Sequence, residues 1–251
     1  MKSNHSEVLI DRQTLVDGIL VNEVSGHFAS QSAPSILFVH GAYMGSWVYE
    51  RWQEFFALSG WRTYAMSLRN HPGSIQLSDR EFVQLRPEDY VEDVLKVTRW
   101  IGRRVVLVGH SMGGVVAQKA AERLRALAAL VLLASGPPQG LGASRPRDVP
   151  ENSPHQPHYD QFRIHMFGDI TEEVYRDIYD RLVPESPGVM NRTGRGKVSI
   201  RASRIIAPVL AVDAELDRNR FGPKFSEFYG AEYFVVPKAR HGLMLGAGHC
   251  R

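Results

Sequence analysis

The stretch "VVLVGHSMGGVVAQ", residues 105–118, changes from strand-like to helix-like at a single serine. Residues 105–110 form an apolar run without polar alternation, which is typical of a strand buried on both faces. Glycines stand on either side of Ser111 in a G-x-S-x-G pattern. Such a turn holds the serine in a strained backbone and needs neighbours without a Cβ. The stretch therefore predicts a serine displayed above a sheet edge, with a simple helix cap as the alternative.

Outside this stretch, short apolar runs alternate with longer amphipathic segments. The strand-like runs lie at 18–24, 35–40, 63–68, 105–110, 129–135, 208–214 and 232–237. The helix-like segments lie at about 46–59, 87–102, 112–125 and 222–229. This alternation predicts an α/β fold with right-handed crossovers and a mostly parallel central sheet that carries helices on both faces.

One long segment interrupts the alternation. No strand-like run occurs between Gly136 and Arg204, but prolines, histidines and aromatic residues are frequent, with helical patches at about 159–167 and 171–183. A long excursion of this kind is usually a lid or an inserted cap. We therefore expect a core formed by residues 1–135 and 205–251, with a helical cap insertion at residues 136–204.

The composition is that of a globular protein of 251 residues, with 43% hydrophobic residues and a formal net charge of +3. The basic residues of segment 192–204 lack the density and interleaved aromatic residues of a nucleic-acid surface. No apolar run approaches the ~20 residues that span a bilayer, and no signal peptide is evident. Cys250 is the only cysteine. We expect a cytoplasmic protein that binds neither nucleic acid nor membrane; its oligomeric state stays open.

A nucleophilic serine needs a histidine base, and the histidine needs an orienting acid. In this architecture the chain order is serine, acid, histidine. His241 follows the last strand-like run by a short loop, at the edge where Ser111 is expected. The preceding run is followed by Asp213, Glu215 and Asp217, and only Asp217 lies far enough beyond the strand to turn back toward the histidine. We predict a catalytic triad of Ser111, His241 and Asp217.

An acyl-transfer site also needs donors for the developing oxyanion. The run 35–40 ends at His40 and is followed by Gly41, so the backbone N–H of Ala42 can face the same point as that of Met112. One such donor contributes roughly 100- to 1000-fold to the rate. We predict an oxyanion hole formed by Ala42 and Met112, with a simple glycine turn as the alternative.

Taken together and in this order, these motifs resemble the α/β-hydrolase superfamily over nearly the whole chain. The matching stretches are HGAYMGSW (40–47), GHSMGG (109–114), the Asp217 loop and RHGLML (240–245). The resemblance implies the α/β-hydrolase fold and a serine esterase or lactonase. The HG-A-x-x-G-x-W pattern is similar to small-ester hydrolases and to plant methylesterases and hydroxynitrile-lyase-like members.

The sequence departs from the superfamily at two places. The stretch SLRNHPGS (67–74) resembles its R-G-H-G-x-S loop, but Asn70 and Pro72 replace glycines, so we expect a different loop shape. Only ten residues follow His241, where members generally have a final helix. We expect this short ending to loosen the packing of the histidine.

The expected activity is hydrolysis of a small or medium carboxylic ester, lactone or thioester through an acyl-enzyme, without a metal or organic cofactor. A same-fold acyltransferase or cofactor-independent dioxygenase can share these residues, and a non-catalytic ligand-binding module is a further alternative. A hydroxynitrile lyase is disfavoured, because Gly242 and Gly41 stand where the resemblance implies lysine and threonine. A halide-displacing relative would carry aspartate in place of Ser111.

The cap is expected to select the substrate. Residues that could line an apolar pocket, or merely pack, are Tyr43, Tyr159, Phe162, Met166, Phe167, Tyr175 and Tyr179. A metal site is not expected, because the spacing of His155, His158, Asp160 and His165 matches no tight ligand pattern.

Overall fold

The structure is a computed structural model that describes residues 9–27, 29–30, 32–145, 147–168 and 170–245. Its strands are β1 (Leu9–Val16), β2 (Ile19–Gly26), β3 (Ser35–Val39), β4 (Arg62–Met66), β5 (Val105–His110), β6 (Leu127–Leu133), β7 (Val209–Ala214) and β8 (Glu232–Val236). Its helices are α1 (Glu50–Leu58), α2 (Asp79–Phe82), α3 (Pro87–Ile101), α4 (Ser111–Ala121), α5 (Tyr159–Met166), α6 (Glu172–Tyr179), α7 (Pro187–Gly194) and α8 (Gly222–Tyr229). Short 3-10 turns lie at Ser46–Tyr49 and Ala202–Arg204.

The strands form one sheet in the order β1-β2-β4-β3-β5-β6-β7-β8. In this order, all neighbouring pairs from β4 across to β8 are parallel. The pairs β1–β2 and β2–β4, at one edge, are antiparallel. The predicted mostly parallel α/β sheet is thus confirmed. Because parallel neighbours end at the same edge, the loops after β5, β7 and β8 meet there.

Strand β1 is missing from the strand-like runs of the sequence. Its residues are mostly polar and exposed, since it lies at the sheet edge and pairs only with β2. A two-residue turn, Asp17-Gly18, joins the two strands, and both residues have positive φ angles, +48° and +82°. Asp-Gly between strands is a strong hairpin signal, and it was the available clue to β1.

The central strands are buried on both faces, as their uninterrupted apolar runs predict. Leu37 and Val39 of β3 belong to an apolar cluster that includes residues of α3, α4 and α8. Ile36 and Phe38, which point to the other face, belong to a second cluster that includes Tyr49 and residues of the α5–α7 segment. The sheet is therefore rigidly held between two packed layers.

The long excursion lies between β6 and β7 and contains α5, α6 and α7. The predicted helical patches correspond to α5 and α6, whereas the sequence of α7, PGVMNRTG, has no clear apolar stripe and predicts no helix. Its start nevertheless has a recognisable signal: the Ser186 side chain accepts from the Val189 N–H, and Pro187 occupies the first turn. Among the described residues, no helix combines the length and apolarity required to cross a membrane.

Candidate active site

Ser111 stands between β5 and α4 with a φ angle of +52°, a backbone conformation that side chains other than glycine rarely adopt. The flanking glycines permit the tight packing of this turn. A Cβ on Gly113 would lie 2.2 Å from the carbonyl oxygen of His40, and one on Gly109 would lie 2.5 Å from that of Gly113. The strain is therefore at the serine itself, and the glycines supply the space.

The structure brings the three predicted triad residues together. The Nε2 atom of His241 lies 2.8 Å from the Oγ of Ser111, and its Nδ1 lies 2.5 Å from the Oδ2 of Asp217. Because an ionised carboxylate only accepts hydrogen bonds, the imidazole donates from Nδ1 and accepts the serine hydroxyl at Nε2. His241 is only 6% exposed. The arrangement can move a proton from the serine to the histidine.

Asp217 is electrostatically suited to orient the histidine. Burial raises the pKa of this carboxyl, but hydrogen bonds from His241 and from the Asn219 N–H outweigh burial, so its pKa lies below the usual value. The rejected candidate, Asp213, instead accepts a hydrogen bond from the backbone of Gly222, and burial raises its pKa.

His110 is a residue of the candidate site that the sequence patterns do not identify. Its Nε2–H donates to the backbone carbonyl of His241 at 2.9 Å and so holds the loop that carries the imidazole. Burial lowers the pKa of His110 to about 3, so the ring is neutral at ordinary pH. Its position directly before the nucleophile was the only available signal.

Ala42 and Met112 both line the cavity in front of Ser111. In the part of the chain that the structure describes, neither backbone N–H has an acceptor. Met112 is the second residue of α4, where backbone N–H groups have no partner within the helix. Both N–H groups are thus available to a ligand oxygen.

Helix α5 is attached directly to the loop that carries His241. The Gly242 N–H donates to the Met166 carbonyl at 2.9 Å, and the Arg240 guanidinium donates to that of Ile164 at 3.3 Å. The ring of His165 stacks on that of His241, with centroids 4.2 Å apart. The His241 loop is thus held by contacts with α5 as well as by His110 of the core. This differs from the loose packing that the sequence led us to expect.

A cavity of about 930 Å³ opens in front of Ser111. Of the residues predicted to line it, Tyr43, Phe162 and Met166 do so. The other four pack among themselves behind the wall: the rings of Tyr159, Tyr175 and Tyr179 form one cluster, and Phe167 lies against Tyr175. For these four residues, packing is the role that the structure displays.

A buried charged cluster lies behind the Ala42 turn. The Glu185 carboxylate has no exposed surface and accepts from the Nε2 of His71 (3.1 Å), the hydroxyl of Tyr90 (2.6 Å) and the N–H of Tyr43 (3.3 Å). The Nδ1 of His71 donates to the Arg69 carbonyl, so both ring nitrogens carry protons and the imidazole is cationic. This pair links the excursion to the turn that holds Ala42.

The SLRNHPGS loop keeps a glycine-like backbone at the first of its departures from the superfamily. Asn70 has a φ of +62°, a region that asparagine tolerates better than most residues. The substitution therefore preserves the turn that delivers His71 to Glu185. Sequence reasoning missed this cluster, because its two charged members are far apart in the chain.

Of the four histidine and aspartate residues of segment 155–165, only His165 lies beside His241 and Asp217. One ring nitrogen of His165 and one side-chain ligand atom each of Asp217 and His241 lie within 4.8 Å of one another. A cation held there would compete with the hydrogen bond between His241 and Asp217.

Comparison with known proteins identifies the family. The model of the "Alpha/beta hydrolase family" matches residues 36–251, whereas no curated protein matches significantly. An E-2-(acetamidomethylene)succinate hydrolase is 21% identical, with a TM-score of 0.64 over 93% of this chain and 92% of that one. A mutant N-acyl homoserine lactonase complexed with N-hexanoyl homoserine is 18% identical, with a TM-score of 0.69 over 93% and 90%.

A methylesterase from Arabidopsis is 16% identical, with a TM-score of 0.68 over 84% of this chain and 92% of that chain. At these identities the structural likeness establishes the fold, and the family match establishes the relationship by sequence. The predicted fold and the resemblance stated above are both confirmed: the chain belongs to the alpha/beta hydrolase family.

Proposed function

We propose that this protein is a serine hydrolase that cleaves a small or medium carboxylic ester, lactone or thioester through an acyl-enzyme. One observation carries the proposal: an unbroken hydrogen-bonded path runs from Asp217 through His241 to Ser111 and ends at a cavity. Nucleophile, base and orienting acid are the parts that acyl transfer to a serine requires.

In this mechanism the Oγ of Ser111 attacks the substrate carbonyl carbon while the Nε2 of His241 takes its proton. The ionised Asp217 stabilises the imidazolium that forms. The backbone N–H groups of Ala42 and Met112 donate to the oxyanion of the tetrahedral intermediate. Return of the proton to the leaving alcohol or thiol breaks the scissile bond, and a water activated by the same histidine then releases the acyl group.

The surroundings support this division of roles. His110 is neutral and holds the His241 backbone, so it positions the base and does not compete for the proton. The cavity is of the size that accommodates a small organic molecule. Its wall combines apolar side chains such as Phe162 with polar groups near the serine, which suits an ester whose ends differ in polarity.

The test compares Ser111→Ala with Ser144→Ala, because Ser144 lines the same cavity and its hydroxyl donates to the Gly194 carbonyl. Short p-nitrophenyl esters report turnover, and a serine-directed phosphonate followed by mass spectrometry reports the labelled residue. We expect Ser111→Ala to lose both labelling and turnover, with kcat falling by up to about a million-fold if the triad acts as a unit.

The Ser144→Ala variant should retain both properties. Phosphonate labelling of another residue, or a loss of less than about tenfold in Ser111→Ala, would assign the chemistry elsewhere. Wild-type protein that neither hydrolyses the esters nor reacts with the phosphonate would favour a ligand-binding module instead.

A further inference from the structure

Arg145 is held in a fixed position at the wall of the cavity that contains Ser111. Its backbone N–H donates to the Gly194 carbonyl at 2.9 Å, and its carbonyl accepts from the Arg195 guanidinium at 3.0 Å. Its aliphatic stem lies over Gly194, where an added Cβ would be 2.6 Å from the Cδ of Arg145. The backbone of Arg145 and the aliphatic stem of its partly buried side chain are thus both constrained.

The guanidinium of Arg145 has no carboxylate partner among the described residues. Asp148 is the acidic side chain among the described residues of the wall, and it is paired with Arg195 at 3.3 Å and Lys197 at 3.5 Å. Burying part of a charge without a counter-ion costs free energy. A ligand that supplied a negative charge would recover that cost.

The groups around Arg145 do not neutralise it. Burial first and the Arg145 charge second lower the pKa of His155, and burial, His241 and Arg145 together lower the pKa of His165 to about 4. Both rings are neutral at ordinary pH, so they add hydrogen-bonding atoms and no negative charge. The hydroxyl of Tyr43, 2.8 Å from the Nδ1 of His155, lies in the same corner.

Further positive charge lies along the same cavity. Arg147, Arg218 and Arg240 also contribute to its wall. Clefts lined by one sign of charge raise the local concentration of oppositely charged ligands. The charge of the wall is therefore opposite to that of a carboxylate.

We propose that the substrate hydrolysed at this site carries a carboxylate in addition to its ester, lactone or thioester, and that Arg145 binds that carboxylate. A planar guanidinium pairs with a carboxylate through two parallel hydrogen bonds, which fixes the orientation of the ligand as well as its affinity. The inference rests on the proposed function for its reaction, whereas the anion-binding role of Arg145 is measurable without turnover.

The test uses esters of matched chain length in pairs, in which the far end is a carboxylate in one member and a methyl group in the other. For a charged acyl group, monomethyl glutarate, adipate and pimelate are paired with methyl pentanoate, hexanoate and heptanoate. For a charged alcohol group, the acetates of ω-hydroxy acids are paired with n-alkyl acetates of the same length. Released acid is followed by titration at constant pH with wild-type protein and with Arg145→Met and Arg145→Lys.

We expect wild-type kcat/KM to favour the charged member of at least one pair by about tenfold or more, the range of a hydrogen bond to a charged group. Arg145→Met should abolish this preference, because kcat/KM should fall much further for the charged ester than for its neutral partner. Arg145→Lys should retain part of the preference, because lysine keeps the positive charge but cannot form the two parallel hydrogen bonds of a guanidinium. The wild-type preference should also shrink as salt rises from ~50 mM to ~500 mM.

A second measurement separates this inference from the proposed function. Calorimetry with Ser111→Ala, which leaves Arg145 intact, reports binding of the preferred charged ester, or of adipate if no ester is turned over, and the double variant Ser111→Ala/Arg145→Met is the control. Arg145-dependent binding without hydrolysis of any ester by wild type would overturn the proposed function alone. If wild type and Arg145→Met both hydrolysed neutral and charged esters with equal efficiency, the inference of an anionic substrate would be overturned and the proposed function would stand.

Discussion

Asp217 and Glu215 lie in the same loop, yet only one of them faces the histidine. Asp217 accepts from the Nδ1 of His241, whereas Glu215 is exposed and accepts from the backbone of Lys238. The Asp217 carboxyl has a pKa below its usual value, so it stays ionised throughout the neutral range. Its charge is therefore constant over the pH range in which a histidine base works.

Replacing Asp217 by asparagine should leave the packing intact and lower kcat by about 10,000-fold, as in serine hydrolases whose histidine is left in the wrong tautomer. An amide nitrogen facing Nδ1 favours the tautomer that cannot accept the serine proton. The measurement is kcat on a p-nitrophenyl ester, with Glu215→Gln as the matched control that keeps wild-type activity. Equal activity in Asp217→Asn and Glu215→Gln would remove Asp217 from the mechanism.

At this scale the sequence predicts side chains that follow a pattern and misses those that do not. Ser111, Asp217 and His241 follow from motif spacing and from the chain order of the triad. His110 and Glu185 act through contacts with the backbone of His241 and the N–H of Tyr43, so no spacing rule identifies them. The four aromatic residues that lie between β6 and β7 but outside the cavity illustrate the same limit, since composition does not tell which side of a helix faces a ligand.

The turn between β5 and α4 depends on the absence of side chains at its glycines. Alanine at Gly113 would place a Cβ 2.2 Å from the His40 carbonyl oxygen, and backbone cannot move aside cheaply. We expect Gly113→Ala to lower the free energy of unfolding by more than about 3 kcal/mol and to abolish activity, since the shift reaches both Ser111 and the Ala42 turn.

Gly60 is the matched control for this change. An added Cβ there meets nothing within 4 Å, although its φ is +85°. Gly60→Ala should therefore cost only about 1 kcal/mol, the conformational penalty of a left-handed alanine, with activity unchanged. Unfolding in urea with parallel ester assays distinguishes the two variants, and an active, normally stable Gly113→Ala protein would contradict the packing argument.

The elements with a clear apolar pattern are predictable from the sequence, whereas β1 and α7 are not. The central strands follow from their apolar runs and α3 follows from its apolar stripe, because strands covered on both faces and a helix packed on the sheet need apolar side chains at their buried positions. Strand β1 has a polar sequence since an edge strand needs little burial, and α7 combines glycines with a mixed face. Their signals, the Asp17-Gly18 turn and the Ser186-Pro187 start, are local chemistry and not periodicity.

At the scale of the whole molecule, Glu185 joins the excursion between β6 and β7 to the core. Its ion pair with His71 is fully buried. Burial raises the pKa of Glu185, but His71 and the other donors outweigh it, so the pKa is lowered; burial lowers the pKa of His71, but Glu185 outweighs it, so that pKa is raised. Each partner therefore stabilises the ionised form of the other.

Replacing Glu185 by glutamine should cost about 3 to 5 kcal/mol, because it leaves a buried imidazolium without its counter-ion. The stabilisation by Glu185 is present above its unfolded pKa of 4.5, and that by His71 below its unfolded pKa of 6.5. It is lost as pH falls through the lowered pKa of Glu185 or rises through the raised pKa of His71. The difference in the free energy of unfolding between Glu185→Gln and wild type should thus be largest between the two unfolded pKa values, and it should shrink toward alkaline pH.

The control for this variant is Glu172→Gln, which breaks an exposed ion pair with Arg163 in the same excursion and should change stability little. Denaturant unfolding across the pH range measures both. A Glu185→Gln protein whose deficit is small, or does not vary with pH, would show that the pair is not ionised.

The attachment of α5 to the His241 loop also bears on how such a scaffold can acquire a new specificity. Gly242 and Arg240 are hydrogen-bonded to α5, and His165 stacks on the imidazole. Exchanging the whole insertion for that of a relative would remove these supports together with the old pocket. Point changes at wall residues that take no part in these contacts, such as Phe162, leave the supports in place. Stepwise remodelling within the existing insertion is therefore the accessible route, and a transplanted insertion must supply its own contacts to the histidine loop.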